Sequence, residues 1–355
     1  MIIEQPECNG SHDLNFRFAW MSSVCAMLVV YIHIPMYHAF VGINRVFYDL
    51  LRSGLCQIAV PFFFFASGFF LAKHYAEKSW YEDAIRKRCK TILVPYIIFS
   101  CLYLLFKYFC AFVHSKVLNS DFLFSVPWMK VFGLNLLDFP QLGLLWYLRT
   151  LMTLVLLSCI LLRLARSTVF ICLLFLVHGF VNPFGGVPPL RTGCLQFLFT
   201  FGPLSVIGIF YFCLGAWFRL NPKAKNILCF GTLALILGIA ALVVKTILHT
   251  YVCDFQAAYI GWMMVPFLII GFMSLRCFDC APPKLISRAF PLYLCHFFVV
   301  DSLFLVIVAC KGQHLLDMMS VFVLIGICII LITFIMIHYL YKHFPHLSSL
   351  IFGGR

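Results

Sequence analysis

The chain has 355 residues, 63% of them hydrophobic and only 11% charged, with a formal net charge of +13. So apolar a composition excludes a soluble globular domain. Runs of about 20 apolar residues recur, the length that crosses a hydrocarbon core of about 30 Å as a helix. They are continuously apolar rather than alternating, which excludes a transmembrane β-barrel.

The expected fold class is therefore all-α, a polytopic transmembrane helical bundle in which each segment satisfies its own backbone. The positive balance is read as an orientation signal and an attraction to anionic membrane lipid. A nucleic-acid partner is set aside, because the basic residues are not interleaved with solvent-exposed aromatics.

In chain order, residues 1–17 are polar and lack the apolar core and cleavage site of a signal peptide. The first span is expected to remain in the mature protein, behind a cytoplasmic tail over 1–17. About ten spans follow, at 18–37, 54–73, 92–114, 143–163, 167–183, 201–219, 227–248, 257–275, 289–310 and 319–341. Residues 18–341 then form one transmembrane domain, and 342–355 a second cytoplasmic tail. No long polar linker divides the spans and no internal repeat is evident. With the N-terminus inside, most of the 26 basic residues fall on inner segments, so both termini are expected to be cytoplasmic. Segments 115–142 and 178–193 become outer loops, the first too apolar to be freely solvated, the second rich in Gly and Pro.

The 17 cysteines show no metal-ligand spacing and lie mostly inside spans, where they pack as small, soft residues. Cys277 to Cys280 has the C-x-x-C form, without a second pair or a neighbouring His, so no metal is expected.

Ionisable residues inside spans are costly, and each is a functional candidate. His33 closes the first span in "YIHIPMYH". One reading is an interfacial ring that positions the helix end. The other is a general base, since an imidazole is largely neutral at physiological pH and accepts a proton. His38 lies beyond Pro35, nearer water. Arg86, Lys87, Arg88 and Lys90 follow the second span after a short polar loop, just before a helix entered through Pro95. Topology alone accounts for them; a site for a phosphorylated ligand is the functional alternative. In "GLLWYLRTLM", Trp146 and Tyr147 suit an interfacial belt, whereas Arg149 lies about 9 Å into its helix and needs a partner. His296 lies about two turns into the ninth span. Asp301, five residues on, is off its helix face. Lys107 and Lys245 have the reach to snorkel. Ser67 in "ASGFF" reads as a close-packing spot, with no nucleophile elbow around it.

These pieces, taken in order, resemble the acyltransferase-3 family of membrane-bound O-acyltransferases. The matching stretches are "MLVVYIH", "VPFFFFASGFFLA", "KRCKTILVPYIIF", "LWYLRTLM", "YFCLGAWF" and "FPLYLCHFF", over roughly 18–310. The resemblance implies transfer of an acyl group, commonly acetyl from acetyl-CoA, to a hydroxyl of a glycan or lipid-linked sugar, in a bacterial inner membrane. It implies a catalytic role for His33 and for Arg149. Arg86, Lys87, Arg88 and Lys90 would hold acyl-CoA. Trp146, Tyr147 and His296 are candidates for holding the substrate, a buried structural role for His296 being the equal alternative. The sequence departs from the family at Ser22, where many members carry an arginine eleven residues before the histidine. Arg17, five residues further out, is not assumed to substitute. Two other classes stay open: a transporter, which uses similar intramembrane charges, and a catalytically inactive relative serving as a scaffold.

Overall fold

The computed structural model describes residues 10–35, 40–75, 77, 79–118, 145–184, 204–252, 254–284, 286–310 and 318–354. Among them every regular element is helical and no strand occurs. His38, most of 115–142 and most of 178–193 lie outside the described residues.

The chain begins with α1 (Gly10–His33) and α2 (Gly42–Tyr48). From α2 it continues without a break through a π-helical turn, Asp49–Gly54, and a 3-10 turn, Leu55–Ile58, into α3 (Ala59–Ala72). A second such series joins α4 (Trp80–Arg88), a π-helical turn at Cys89–Leu93, and α5 (Val94–Leu118). Then come α6 (Trp146–Leu156), α7 (Ser158–Leu164), α8 (Thr168–Phe184) and α9 (Val206–Leu220). The chain closes with α10 (Gly231–Tyr251), α11 (Asp254–Ser274), α12 (Ala289–Ala309), α13 (Met319–His343) and a short α14 (Pro345–Ile351).

Six helical stretches are long and apolar enough to cross a membrane: Leu14–His33, Gly42–Ala72, Trp80–Cys110, Asn226–Tyr251, Ala289–Ile307 and Met319–His343. Shorter apolar helices, Thr168–Gly179, Val206–Leu220 and Met263–Ser274, stand at three further expected positions. The outward faces carry exposed apolar side chains such as Leu105, Phe109, Leu173, Ile236, Leu324 and Ile335. A water-facing surface would not sustain so many; a hydrocarbon one does, and the protein is integral to the membrane.

Two expectations change. The span drawn at 143–163 is not one rod: α6 and α7 meet at 75° across Leu157. Ser158 Oγ donates to the Val155 carbonyl at 2.6 Å, a side-chain bond of the kind that competes with the helical ladder and bends it. The basic segment 86–90 is not at a loop end either. It sits on α4 and the following π-helical turn, and the helix that begins at Trp80 runs on into the bundle.

The core is aromatic. Phe18 of α1 stacks on Phe69 (4.5 Å between ring centroids) and on Phe65 (5.9 Å) of α3. Helix α1 packs against α3 on one side and α12 on the other, and α10 pairs along its length with α11. Helices α3 and α9 cross so closely that a Cβ on Gly68 would lie 1.9 Å from the Phe212 carbonyl oxygen. A Cβ on Gly215 would lie 1.9 Å from that of Phe65. Small residues at reciprocal positions are what bring two apolar helices into backbone contact inside lipid.

Candidate active site

A cavity of about 620 Å³ opens where the C-terminal end of α3 meets α4. Exposed Lys73, His74, Glu77, Asp83 and Lys87 line it, with half-buried Arg88 reaching inward, within electrostatic range of Tyr147. Its inner wall is Phe63, Ser67, Tyr147, Leu148 and Tyr293, with Ser22 of α1 to one side and Trp80 near the mouth. Both acids at the mouth are engaged locally: His74 Nδ1 meets Glu77 Oε1 at 2.6 Å, and Ser79 Oγ donates to Asp83 Oδ2 at 2.6 Å. The space matches that of ordinary small-molecule pockets and combines a cationic mouth with an aromatic interior.

The structure divides the basic cluster. Successive residues on α4 point about 100° apart, so one helix cannot aim all of them at one place. Lys87 and Arg88 line the cavity; Arg86 and Lys90 do not, and both are exposed. Lys73 and His74 join Lys87 and Arg88 there. Sequence reading passed over these two as part of a polar loop, although their place just after an apolar helix was a usable signal.

Of the other expected residues, Tyr147 lines the cavity, and its hydroxyl lies 3.3 Å from Ser67 Oγ. Ser67 thus belongs to the site, beside the close-packed Gly68. Trp146 does not line it and packs on Phe64 at 6.0 Å. Arg149, two residues beyond Tyr147, is likewise off the cavity, within electrostatic reach of Tyr96. Asp301 accepts from the Tyr103 hydroxyl at 3.2 Å and is not joined to His296.

His33 and His296 come together from helices 263 residues apart in sequence, their ring centroids 5.4 Å from each other. Neither lines the cavity. His296 stands one helical turn beyond Tyr293, ring centroids 6.4 Å apart, so the ring series Tyr293, His296, His33 leads from the inner wall toward the other end of α1. His33 is half-buried against His296 and Phe297. His296 is 0% exposed. Its Nδ1 donates to the Leu292 carbonyl at 3.2 Å, and a carbonyl only accepts, so the proton sits on Nδ1. Nε2 is then an acceptor, and it has no hydrogen-bond partner among the described residues.

Ser22 stands on the cavity, and Arg17 does not take its place. Arg17 forks onto Asp279, Nη2 to Oδ2 at 3.0 Å, and also donates from Nη1 to the Met273 carbonyl at 2.9 Å. The hydrogen bonds from Arg17 hold the Asp279 carboxyl below its ordinary range, its charge adding to the effect. The cation is spent on fixing the loop after α11 to α1. Cys277 and Cys280 flank this contact as exposed free thiols. Among the described residues, no group of three or more His, Cys, Asp or Glu is arranged to hold a metal.

No curated protein and no solved structure matches the chain. A family model described as an acyltransferase domain matches residues 18–342, nearly the whole length. With its apolar helices, its cationic cavity and its paired histidines, the chain belongs to the acyltransferase-3 family, whose chemistry is acyl transfer.

Proposed function

We propose that the protein moves an acyl group, acetyl in the simplest case, from acyl-CoA to a hydroxyl of a glycan or lipid-linked sugar. In this reading the donor's phosphates meet Lys73 and Lys87 at the mouth and Arg88 further in, since guanidinium and ammonium groups are the usual phosphate partners. The pantetheine arm runs inward along Tyr147 and Tyr293. The acceptor arrives from the opposite end of the bundle. His33 takes the hydroxyl proton as the oxygen attacks the thioester carbonyl, and gives it to the departing CoA thiolate. His296, packed on the His33 ring, orients it. Arg149 offsets developing charge from within the bundle. Carrying the thioester past the aromatic wall and into the bundle, toward His33, limits its hydrolysis.

The same reading sets ten passes, counting the bent α6–α7 pair and the three shorter helices. Both termini are cytoplasmic and the membrane is the bacterial inner one, with the cavity mouth facing cytoplasmic acyl-CoA.

The observation that carries the proposal is the ring series from the cavity wall through His296 to His33. Its test is His33→Ala in purified, monodisperse protein. Acyl transfer falls by about 10²–10⁴-fold if the imidazole is the general base, with acyl-CoA binding retained. Full transfer by that variant refutes the role. One observation favours a transporter as the second reading: the 75° break between α6 and α7, since broken helices line transport sites. Uptake of glycan into vesicles without acyl transfer would decide for it.

A further inference from the structure

The end of the bundle away from the cavity holds a second polar cluster, centred on the π-helical turn Asp49–Gly54. A π-helical turn widens the helix, shifts its carbonyls out of the ordinary ladder, and occurs often at functional sites. Here the Ser53 carbonyl accepts from Lys245 Nζ of α10. Lys245 does not snorkel outward: a Cβ on Gly261 of the neighbouring α11 would lie 3.1 Å from that Nζ. Ser53 Oγ lies 2.9 Å from His249 Nε2.

Asp49, 5% exposed, accepts from Thr250 Oγ1 at 2.8 Å. It also faces Arg45 at 3.6 Å and His249 at 3.7 Å. Arg52 donates to the Tyr48 hydroxyl, its guanidinium 5.5 Å from that ring, and lies within electrostatic reach of His33.

The charges do not balance. One carboxylate faces Arg45 and His249, while among the described residues Arg52 and Lys245 hold neutral partners, a phenol and a backbone carbonyl. No carboxylate among the described residues comes within 4.0 Å of either cation. Half-buried cations at membrane depth are costly unless an anion joins them. Building two of them on adjoining elements, one of them within electrostatic reach of His33, is unfavourable for the empty protein and favourable once an oxyanion arrives.

We propose that Arg52 and Lys245 bind an oxyanion on the acceptor, a phosphate, diphosphate or carboxylate near the hydroxyl to be acylated. This rests on the acyl-transfer reading and names its acceptor class: an anionic sugar or a sugar on a lipid phosphate. The neutral partners keep both cations in place without quenching them, so the acceptor supplies the missing negative charge. Arg52 then places that charge within electrostatic reach of His33.

The test is direct binding of farnesyl diphosphate and of farnesol to the full-length protein in zwitterionic nanodiscs, without acyl-CoA. The protein is compared as wild type, as Arg52→Gln/Lys245→Gln, and with the charge-keeping Arg52→Lys. The wild type is expected to prefer the diphosphate at least about 10-fold, as one charge-assisted contact provides. The double variant loses that preference with farnesol binding unchanged, and Arg52→Lys keeps part of it. An undiminished preference in the double variant overturns the inference. A second arm repeats the measurement in nanodiscs with anionic lipid. If anionic lipid alone abolishes the preference at equal diphosphate concentration, the cluster is a headgroup site and the acceptor assignment falls. Because no acyl-CoA is present, these results stand apart from the transfer assay. Binding without any transfer refutes the proposed function alone.

Discussion

Gly68→Ala tests the packing that builds the cavity. The added methyl carbon would stand 1.9 Å from the Phe212 carbonyl oxygen, with the Phe212 carbonyl carbon at 2.8 Å. A carbon rests against a carbonyl oxygen at about 3.3 Å or more. Helices α3 and α9 would therefore part by about 1.4 Å. The obstacle is backbone, which cannot rotate aside as a side-chain tip does. Overpacking a well-filled interface costs about 1–3 kcal/mol, and this contact belongs at the upper end, because Gly215 makes the reciprocal approach. The same displacement shifts Ser67, Phe70 and Lys73 against the rest of the cavity wall, so the proposed donor binding weakens along with stability. Gly208→Ala is the comparison: its nearest neighbour is the Thr150 methyl at 3.0 Å, a side chain that yields by a few tenths of an ångström. It costs at most about 1 kcal/mol. Thermal melting of the purified protein, followed by tryptophan fluorescence, ranks the two. If Gly68→Ala melts with the wild type, or with Gly208→Ala, the backbone-contact account of the α3–α9 crossing is wrong.

Three further outcomes follow from the site. Arg88→Gln weakens acyl-CoA binding by about 10–100-fold, the value of a hydrogen bond to a charged group; Arg86→Gln, off the cavity and exposed, weakens it far less. Isothermal titration separates the two, and equal losses would mean that the whole cluster acts as one charge cloud. Asp279 contributes a pH-dependent term. Its carboxyl is held below the ordinary aspartate range by Arg17, so the stabilisation is present above about pH 4 and is lost as the pH falls through the lowered value. Asp279→Asn removes that acid sensitivity, seen as a flatter dependence of melting temperature on pH in the acid range. The Asp279→Asn protein also frees Arg17, and hydrogen exchange in the loop over 275–284 rises as the loop loosens from α1.

Much of this protein is legible in its sequence because lipid imposes a simple rule. A segment that crosses hydrocarbon must be helical and apolar for about 20 residues, and that rule placed α1, α3, α5, α10, α12 and α13 near their true positions. The short matches from "MLVVYIH" to "FPLYLCHFF" carried the resemblance, and the family model over residues 18–342 bears it out. The same rule is blind to how helices bend and which way they face. The break at Leu157, where Ser158 Oγ bonds the Val155 carbonyl, is a feature that hydropathy does not register. Lys87 and Arg88 part company with Arg86 and Lys90 because α4 and the π-helical turn after it spread the four side chains around the helix, while in the linear sequence they look alike. Nothing in the linear sequence ties Arg17 to Asp279, 262 residues away, which holds it in the folded chain. His33 and His296 each read as an isolated ring at membrane depth, and only the packing of α1 on α12 made them neighbours. The kinds of residue that can serve the chemistry are set along the chain by composition and order. Which of them share a cavity depends on contacts between segments hundreds of residues apart, and those exist only once the helices have packed.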